Sequence, residues 1–446
     1  MTREKYVKKL RAKAGVALAG ALLVCSLPTQ GATPSNEELF QIIQQQNQRI
    51  ESLETELRNA RTNAPAQPIQ QGQQSQQGQK ALEEKIETQQ KQINALAERE
   101  QKPSKLDKVS IGGYGEMHYN NLDAEDRAND LDELDFHRFV LFFGYDFTEN
   151  LRFYSELEVE HSFVEGDDSP GAVELEQAYV QYDFNSSTSI LGGQFLTPVG
   201  ILNETHEPTT FYGVERNDVE NIIIPTTYRV GGAQVTHRFG EGFQVDLSVH
   251  EGLLIDSTDP NDAFRVRDGR QSTGEAIARD PAYTLRVKYS GIPGVELGGA
   301  VQYETDASQV NNDALESGLL WEVHSVINRG IFGFRALYAE WNFDINNEIA
   351  LANGISAAQI ARGEDQTGWY VEPSVKPFEK VGFYTRYEDV EGARTEDVFD
   401  QWEFGLNYWP HPDVVLKFDY RFRDLNLPSE RGRDFDGFDL GIGYQF

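Results

Sequence analysis

The sequence predicts an all-β protein: a transmembrane antiparallel β-barrel of about sixteen strands, preceded by an N-terminal signal peptide and a periplasmic coiled-coil segment. Three observations carry this. From Lys108 onward, apolar residues fall on every second position in segments of about ten residues, the period of a strand with one greasy and one polar face. The connections between those segments alternate short and long. The final stretch, DGFDLGIGYQF (436–446), is itself such a segment and ends on an aromatic residue. A long apolar edge of that kind invites aggregation unless another strand covers it.

Composition narrows the class. Hydrophobic residues are 39% of the chain, and beyond the N-terminus no run is apolar for the length that a membrane helix needs. Tyr (19), Phe (26) and Gly (39) are plentiful while Cys (1) and Met (2) are scarce, and the formal net charge is −32. That charge excludes a general nucleic-acid binder, because phosphate backbones require a basic face.

The elements follow in order. Residues 1–32 have the layout of a secretory signal peptide. Arg3, Lys5, Lys8, Lys9, Arg11 and Lys13 precede an apolar run from Ala14, and small residues place the cleavage site near Gly31 or Ala32. The run is short for an anchor helix, and Val24 before Cys25 departs from a lipoprotein signal, which wants a small residue there. Residues 33–104 carry two heptad seams, Leu39, Ile43, Gln46, Ile50, Leu53, Leu57 and Leu82, Ile86, Gln89, Ile93, Leu96. A Gln-rich linker separates them. Each seam is marginal as a lone helix, so a parallel oligomeric coiled coil is expected, with Gln46 and Gln89 fixing its register.

Residues 105–446 supply the barrel. Sixteen alternating segments run from KVSIGGYGEMHY (108–119) to the terminal strand. TEN, NSS, GEG, GIP, NRG, KPFE and PHP are short connections; 123–135, 197–228 and 344–366 are among the long ones. Tight turns on the periplasmic side and long loops outside are the membrane-barrel pattern. With an even strand number both barrel ends lie in the periplasm, where the coiled coil then sits. In a closed barrel the last strand pairs with the first, so no edge remains.

Strand parity assigns faces, because a charge on the lipid side costs about 2–4 kcal/mol near mid-membrane. In VVLKFDYRFR, Leu416, Phe418 and Tyr420 face lipid, and Lys417, Asp419, Arg421 and Arg423 face the lumen. The same parity turns Arg138, Arg152, Arg286, Lys288 and Arg386 inward, together with Glu116, Asp246, Glu296, Glu322, Glu372, Glu388 and Glu403. His118, His250 and His324 read as polar lumen residues. One strand, IFGFRALYAEWNF, puts Arg335 and Glu340 on opposite faces, which a bulge or a protein-covered face would explain. The long 197–228 loop holds Glu204, Glu207, Glu215, Asp218 and Glu220. If it folds inward, these carboxylates face the basic wall and narrow the pore, and the transverse field sorts ions by charge.

The stretch LGGQFLTPVGILNETHEPTTFYGVERNDVENIIIPTTYRVGGAQV (191–235) resembles the phosphate-selective porin O and P family. The resemblance covers roughly residues 105–446. It implies a sixteen-stranded homotrimeric channel of the Gram-negative outer membrane, where an arginine ladder and a lysine cluster pass phosphate; that lysine cluster has no counterpart here. Terminal Phe446 likewise resembles the signal read by the barrel-assembly machinery.

The expected function is a water-filled channel for passive diffusion of small hydrophilic solutes or ions, anions such as phosphate among them, with outer-membrane lipid and lipopolysaccharide as surroundings. The alternative is a structural barrel that tethers the envelope through its coiled coil. No P-loop, Rossmann fingerprint, HExxH or CxxC spacing appears, so no enzyme, cofactor or metal is expected. The acidic run 123–135 lacks EF-hand spacing and reads as a solvated loop.

Overall fold

The computed structural model describes residues 105–124, 130–162, 171–310, 313–427 and 434–446. The signal peptide and coiled coil expected at 1–104 lie outside the described residues. Sixteen antiparallel strands form one closed barrel. They are β1 (Val109–Ala124), β2 (Leu131–Asp146), β3 (Leu151–Glu160), β4 (Val173–Asn185), β5 (Thr188–Leu196) and β6 (Arg229–Phe239). β7 (Phe243–Glu251), β8 (Pro281–Ile292), β9 (Val295–Glu304), β10 (Leu315–Arg329) and β11 (Phe332–Ile345) follow. β12 (Asp365–Phe378), β13 (Val381–Glu391), β14 (Val398–His411), β15 (Val414–Leu425) and β16 (Phe435–Gln445) complete it. Short helices α1 (Asn347–Ala352) and α2 (Ala357–Glu364) sit in the β11–β12 loop.

Each strand pairs with its sequence neighbours, and β1 closes on β16. The seam is sealed reciprocally: the Gly113 amide donates to the Phe446 carbonyl at 3.0 Å, and the Phe446 amide donates to Gly113 at 2.9 Å. Apolar side chains line the outer surface, among them Leu247, Leu285, Val301 and Val323. Aromatic residues border it at both ends. Phe143, Phe184, Phe243, Phe332 and Phe446 lie toward the short turns, and Trp321, Tyr338, Trp369, Tyr387 and Trp402 toward the long loops. Such belts mark the two membrane interfaces.

Two expectations need correction. The acidic run 123–135 is not all loop: β1 extends to Ala124 and β2 begins at Leu131, because Asn121, Leu122 and Asp123 still find ladder partners on β2 or β16. Nor is the lumen polar throughout. Ile222, Ile223 and Ile224 of the 197–228 loop, Leu253, Ile255, Phe264 and Val266 after β7, and Leu320, Leu337, Trp341 and Phe343 on β10 and β11 form one buried apolar cluster. That cluster accounts for β11. Its register is continuous with both neighbours, so no bulge is involved. Arg335 faces inward and donates to the Thr210 carbonyl at 2.5 Å. Further along the same face Leu337, Ala339 and Trp341 are covered by loop residues, and the Trp341 indole donates to the Ile223 carbonyl at 3.0 Å. Glu340 lies outside with Tyr338 and Asn342, which both donate to it.

Leu285 on β8 lies between Leu247 and Val301 on the outer face. Leu285→Arg is expected to lower the unfolding free energy of the bilayer-inserted protein by about 2–4 kcal/mol. The neighbouring lumen-facing change Thr284→Ser is expected to move it by less than about 1 kcal/mol. Denaturant titration of vesicle-reconstituted protein compares the two.

Candidate functional site: the loop-lined lumen

The 197–228 loop lies inside the barrel because the barrel wall makes room for it. Inner-face glycines form its seat. A Cβ at Gly443 would collide with Pro208, one at Gly382 with the Tyr212 hydroxyl, and one at Gly368 would press on Val219 and Ile223. At Gly441 a Cβ would sit 3.2 Å from Val214. The polar half of the rhythm in β16 (Asp439, Gly441, Gly443) is therefore small where the loop passes. Asn203 closes the loop's base: its side chain donates to the Thr197 carbonyl at 2.7 Å and accepts from the Tyr228 amide at 2.6 Å.

Glu220 is the loop's internal anchor. It is fully buried and accepts from the Ile201 and Leu202 amides, both at 2.6 Å, from Asn217 at 3.1 Å and from the Tyr370 hydroxyl at 3.0 Å. Burial pushes its carboxyl above the usual range, and these donors limit the shift. Three other loop carboxylates reach the wall. Glu204 pairs with Arg286, and Asp218 pairs with Arg423. Glu215 meets His118 at 3.0 Å and Asn120 at 3.1 Å. Burial would raise the Glu215 carboxyl, but the interaction with the His118 imidazole beside it holds it well below the usual range. Glu207 makes no wall ion pair among the described residues.

The strand cations are mostly compensated. Arg138 binds Glu116 at 2.5 Å, Arg386 binds Glu403 at 2.5 Å and Glu372 at 3.2 Å, and Arg421 binds Asp439 at 2.5 Å. Arg286 also binds Asp246 at 2.7 Å, Lys288 lies 3.4 Å from Glu296, and Arg152 pairs with Asp183. Lys417 is different. Its ammonium has no hydrogen-bond partner among the described residues and rests 3.7 Å from the Phe211 ring centre, a cation–π contact with the inserted loop. Of the three histidines, His118 joins Glu116 and Glu215, His324 bonds Glu322 at 2.8 Å, and His250 contacts the Glu251 carbonyl and Thr284.

Further uncompensated charge sits on loops, where strand parity has nothing to say. A cavity of about 780 Å³ opens toward the long-loop end. One side carries Arg216 from the 197–228 loop and Arg267 and Arg270 from the β7–β8 loop. None of the three is ion-paired with a carboxylate among the described residues. Arg267 donates to the Asn221 and Thr226 carbonyls, Arg270 to those of Thr227 and Arg267, and Arg216, among the described residues, only to Thr227 Oγ1 at 3.4 Å. Burial and mutual repulsion push Arg267 and Arg270 below the ordinary guanidinium value, as expected of a site short of counter-charge. The cavity is also lined by Glu133, Asp135, Glu158, Glu160 and Glu174 from β2, β3 and β4. A further cavity of about 420 Å³, bordered by Gly200, Glu204, Arg286, Lys288 and Arg335, lies toward the short turns.

A closed barrel with a lipid-compatible exterior and an inward-folded loop crossing a charged lumen has the architecture of a diffusion channel. Comparison with known proteins makes this specific. The model of the family "Phosphate-selective porin O and P" matches residues 109–446, and the chain belongs to that family. It is thus an outer-membrane porin for passive diffusion. An uncharacterized protein of Aquifex aeolicus is 32% identical over 338 residues, covering 70% of this chain and 75% of that one. Among solved structures, the anion-selective porin from Comamonas acidovorans superposes with a TM-score of 0.51 at 12% identity, covering 76% of this chain and 99% of that one. OmpF from Salmonella typhi gives 0.51 at 14%, covering 76% and 97%. At such identities these two report the fold alone.

Glu220→Ala is expected to release the loop while leaving the barrel closed. It strands four buried donors, and the expected loss of stability is about 3 kcal/mol or more. Limited proteolysis of detergent-folded protein should then cut between residues 197 and 228, where the parent protein resists.

Proposed function

We propose that the lumen selects for small anions, phosphate among them. The observation that carries this reading is the trio Arg216, Arg267 and Arg270, which face one cavity without a carboxylate partner among the described residues. Guanidiniums are weakly hydrated forks that match phosphate and carboxylate geometry. The strand cations contribute less, because each paired arginine is already spent on a wall or loop carboxylate. Strand parity points to strand cations, whereas this reading rests on loop arginines. The arginines without a carboxylate partner are on loops, and the cavity they line is bordered as well by Glu133, Asp135, Glu160 and Glu174 of β2–β4. A solute with separated charges is oriented across such a gap, and a small anion is drawn to the arginine side.

The strongly acidic chain does not conflict with this. Much of the lumen's negative charge is bound in ion pairs, and selectivity is set by the groups left free along the path. In this reading the protein works as a homotrimer, supported by the family and by the two heptad seams upstream, with Phe446 presented to the assembly machinery and the aromatic belts seated in lipid and lipopolysaccharide.

Arg216 is the cleanest probe, since its one polar contact is long and Arg267 and Arg270 also hold loop carbonyls. Arg216→Glu is expected to lower the chloride-to-potassium permeability ratio by about threefold or more and to abolish block of chloride current by phosphate. Zero-current potentials in a KCl gradient, with and without added phosphate, read both. An unchanged ratio in a folded variant would remove the arginine cluster from the selectivity mechanism.

A further inference from the structure

Strand β4 contains one extra residue. Across from β3, Gln177 pairs with Glu156 and Leu175 with Leu157, so Glu176 is left over. The bulge shifts the outward set from odd to even positions: Val173 and Leu175 are exposed before it, Val180 and Tyr182 after it. Glu176 and Gln177 consequently both turn inward, and bulges commonly re-aim side chains next to functional sites.

Glu176 is 0% exposed, and neither of its carboxylate oxygens has a hydrogen-bond partner among the described residues. It faces Glu156 and His206, with one donor atom from each of the three residues inside a 4.8 Å group. The second donor atoms of Glu156 and His206 are already committed. Glu156 Oε2 accepts from Gln177 at 2.6 Å, which leaves Oε1 for the group. His206 Nδ1 lies 3.1 Å from the Asn203 carbonyl, which can only accept, so Nδ1 carries the proton and Nε2 points at the carboxylates. Nε2 itself has no hydrogen-bond partner among the described residues. An imidazole oriented by a backbone carbonyl through its second nitrogen is the usual arrangement of a metal-ligating histidine.

The spacing favours the same conclusion. Nε2 lies 3.7 Å from Glu156 Oε1 and 3.8 Å from Glu176 Oε2, too far for hydrogen bonds. Donors bound to one ion at about 2.0–2.2 Å stand about 3.3–3.6 Å apart at a tetrahedral angle. Beside a single imidazole at ion-pair distance, two dry carboxylates still carry an excess of negative charge, which a bound cation would offset.

We propose that Glu156, Glu176 and His206 bind a divalent transition-metal ion of the zinc class, which fastens the 197–228 loop to the β3–β4 wall. One imidazole with two carboxylates suits Zn²⁺, Mn²⁺ or Fe²⁺, whereas Mg²⁺ and Ca²⁺ prefer oxygen alone. Glu158 adjoins Glu176 and, with Glu160 and Glu174, lines the arginine cavity, so a row of carboxylates leads from the cavity to the site. The nearby group Asp135, His137 and His161 is more open, and its histidines are engaged by Asp135 at 3.2 and 2.8 Å.

The test uses detergent-folded full-length protein stripped with EDTA and dialysed against micromolar Co²⁺ or Zn²⁺. One metal per chain is expected in the parent protein and in the double variant His137→Gln/His161→Gln. Retention should fall by about tenfold or more in Glu176→Gln and in His206→Gln, each checked for folded-barrel gel mobility. A parent protein that retains neither metal overturns the proposal, as does retention lost in the double variant but kept in Glu176→Gln. X-ray absorption on the zinc-loaded parent decides independently of whether any variant folds. A single imidazole with carboxylate oxygens is expected; two imidazoles, which this group cannot supply, would overturn it.

Discussion

Hydrocarbon offers no partner to a backbone amide, so a lipid-facing sheet is viable only when it has no edge. The pairing of β1 with β16 meets that demand, with Gly113 and Phe446 exchanging amide and carbonyl at the seam. Closure then dictates the rest. It sets two surfaces with different solvents, so side chains sort by parity. It also fixes the circumference, and a barrel of sixteen strands is too wide for wall side chains alone to fill. The space is occupied by loops.

The inner surface is shaped for those loops. Gly368, Gly382, Gly441 and Gly443 remove side chains where the 197–228 loop passes, and Lys417 and Arg423 meet it with charge. One part of the lumen becomes an apolar packing of loop against β10 and β11, around Trp341. Another stays charged. There the ion pairs of wall and loop largely cancel, and the residual field comes from the few groups that geometry leaves unmatched. Arg216, Arg267 and Arg270 are such groups on the positive side.

The barrel was legible because its cause is local. A two-residue rhythm survives in each strand, and sixteen such segments with alternating loop lengths admit few other folds. The boundaries near 123–135 were less legible, since polar residues such as Asp123 and Asp132 extend strands beyond the hydrocarbon, where no apolar rhythm is enforced. In β11 a protein-covered inner face removed the contrast on which parity relies. The charged lumen was legible as a set of inward positions, but which cation meets which carboxylate depends on residues far apart in sequence, such as Asp218 and Arg423. Arg267 and Arg270 carried no signal at all, because a loop has no parity. The bulge at Glu176 did leave one: the outward phase of VELEQAYVQYDF changes between Leu175 and Val180.

The central claim is a closed barrel whose water-filled lumen is narrowed from within by the 197–228 loop. Single-channel conductance of the reconstituted protein in polyethylene glycols of graded size tests it most directly. The account predicts discrete conductance steps, lowered by the smallest polymers and restored above a sharp size limit, with that limit rising when the loop is cleaved. A bilayer with no steps, or a size limit indifferent to the loop, would contradict it.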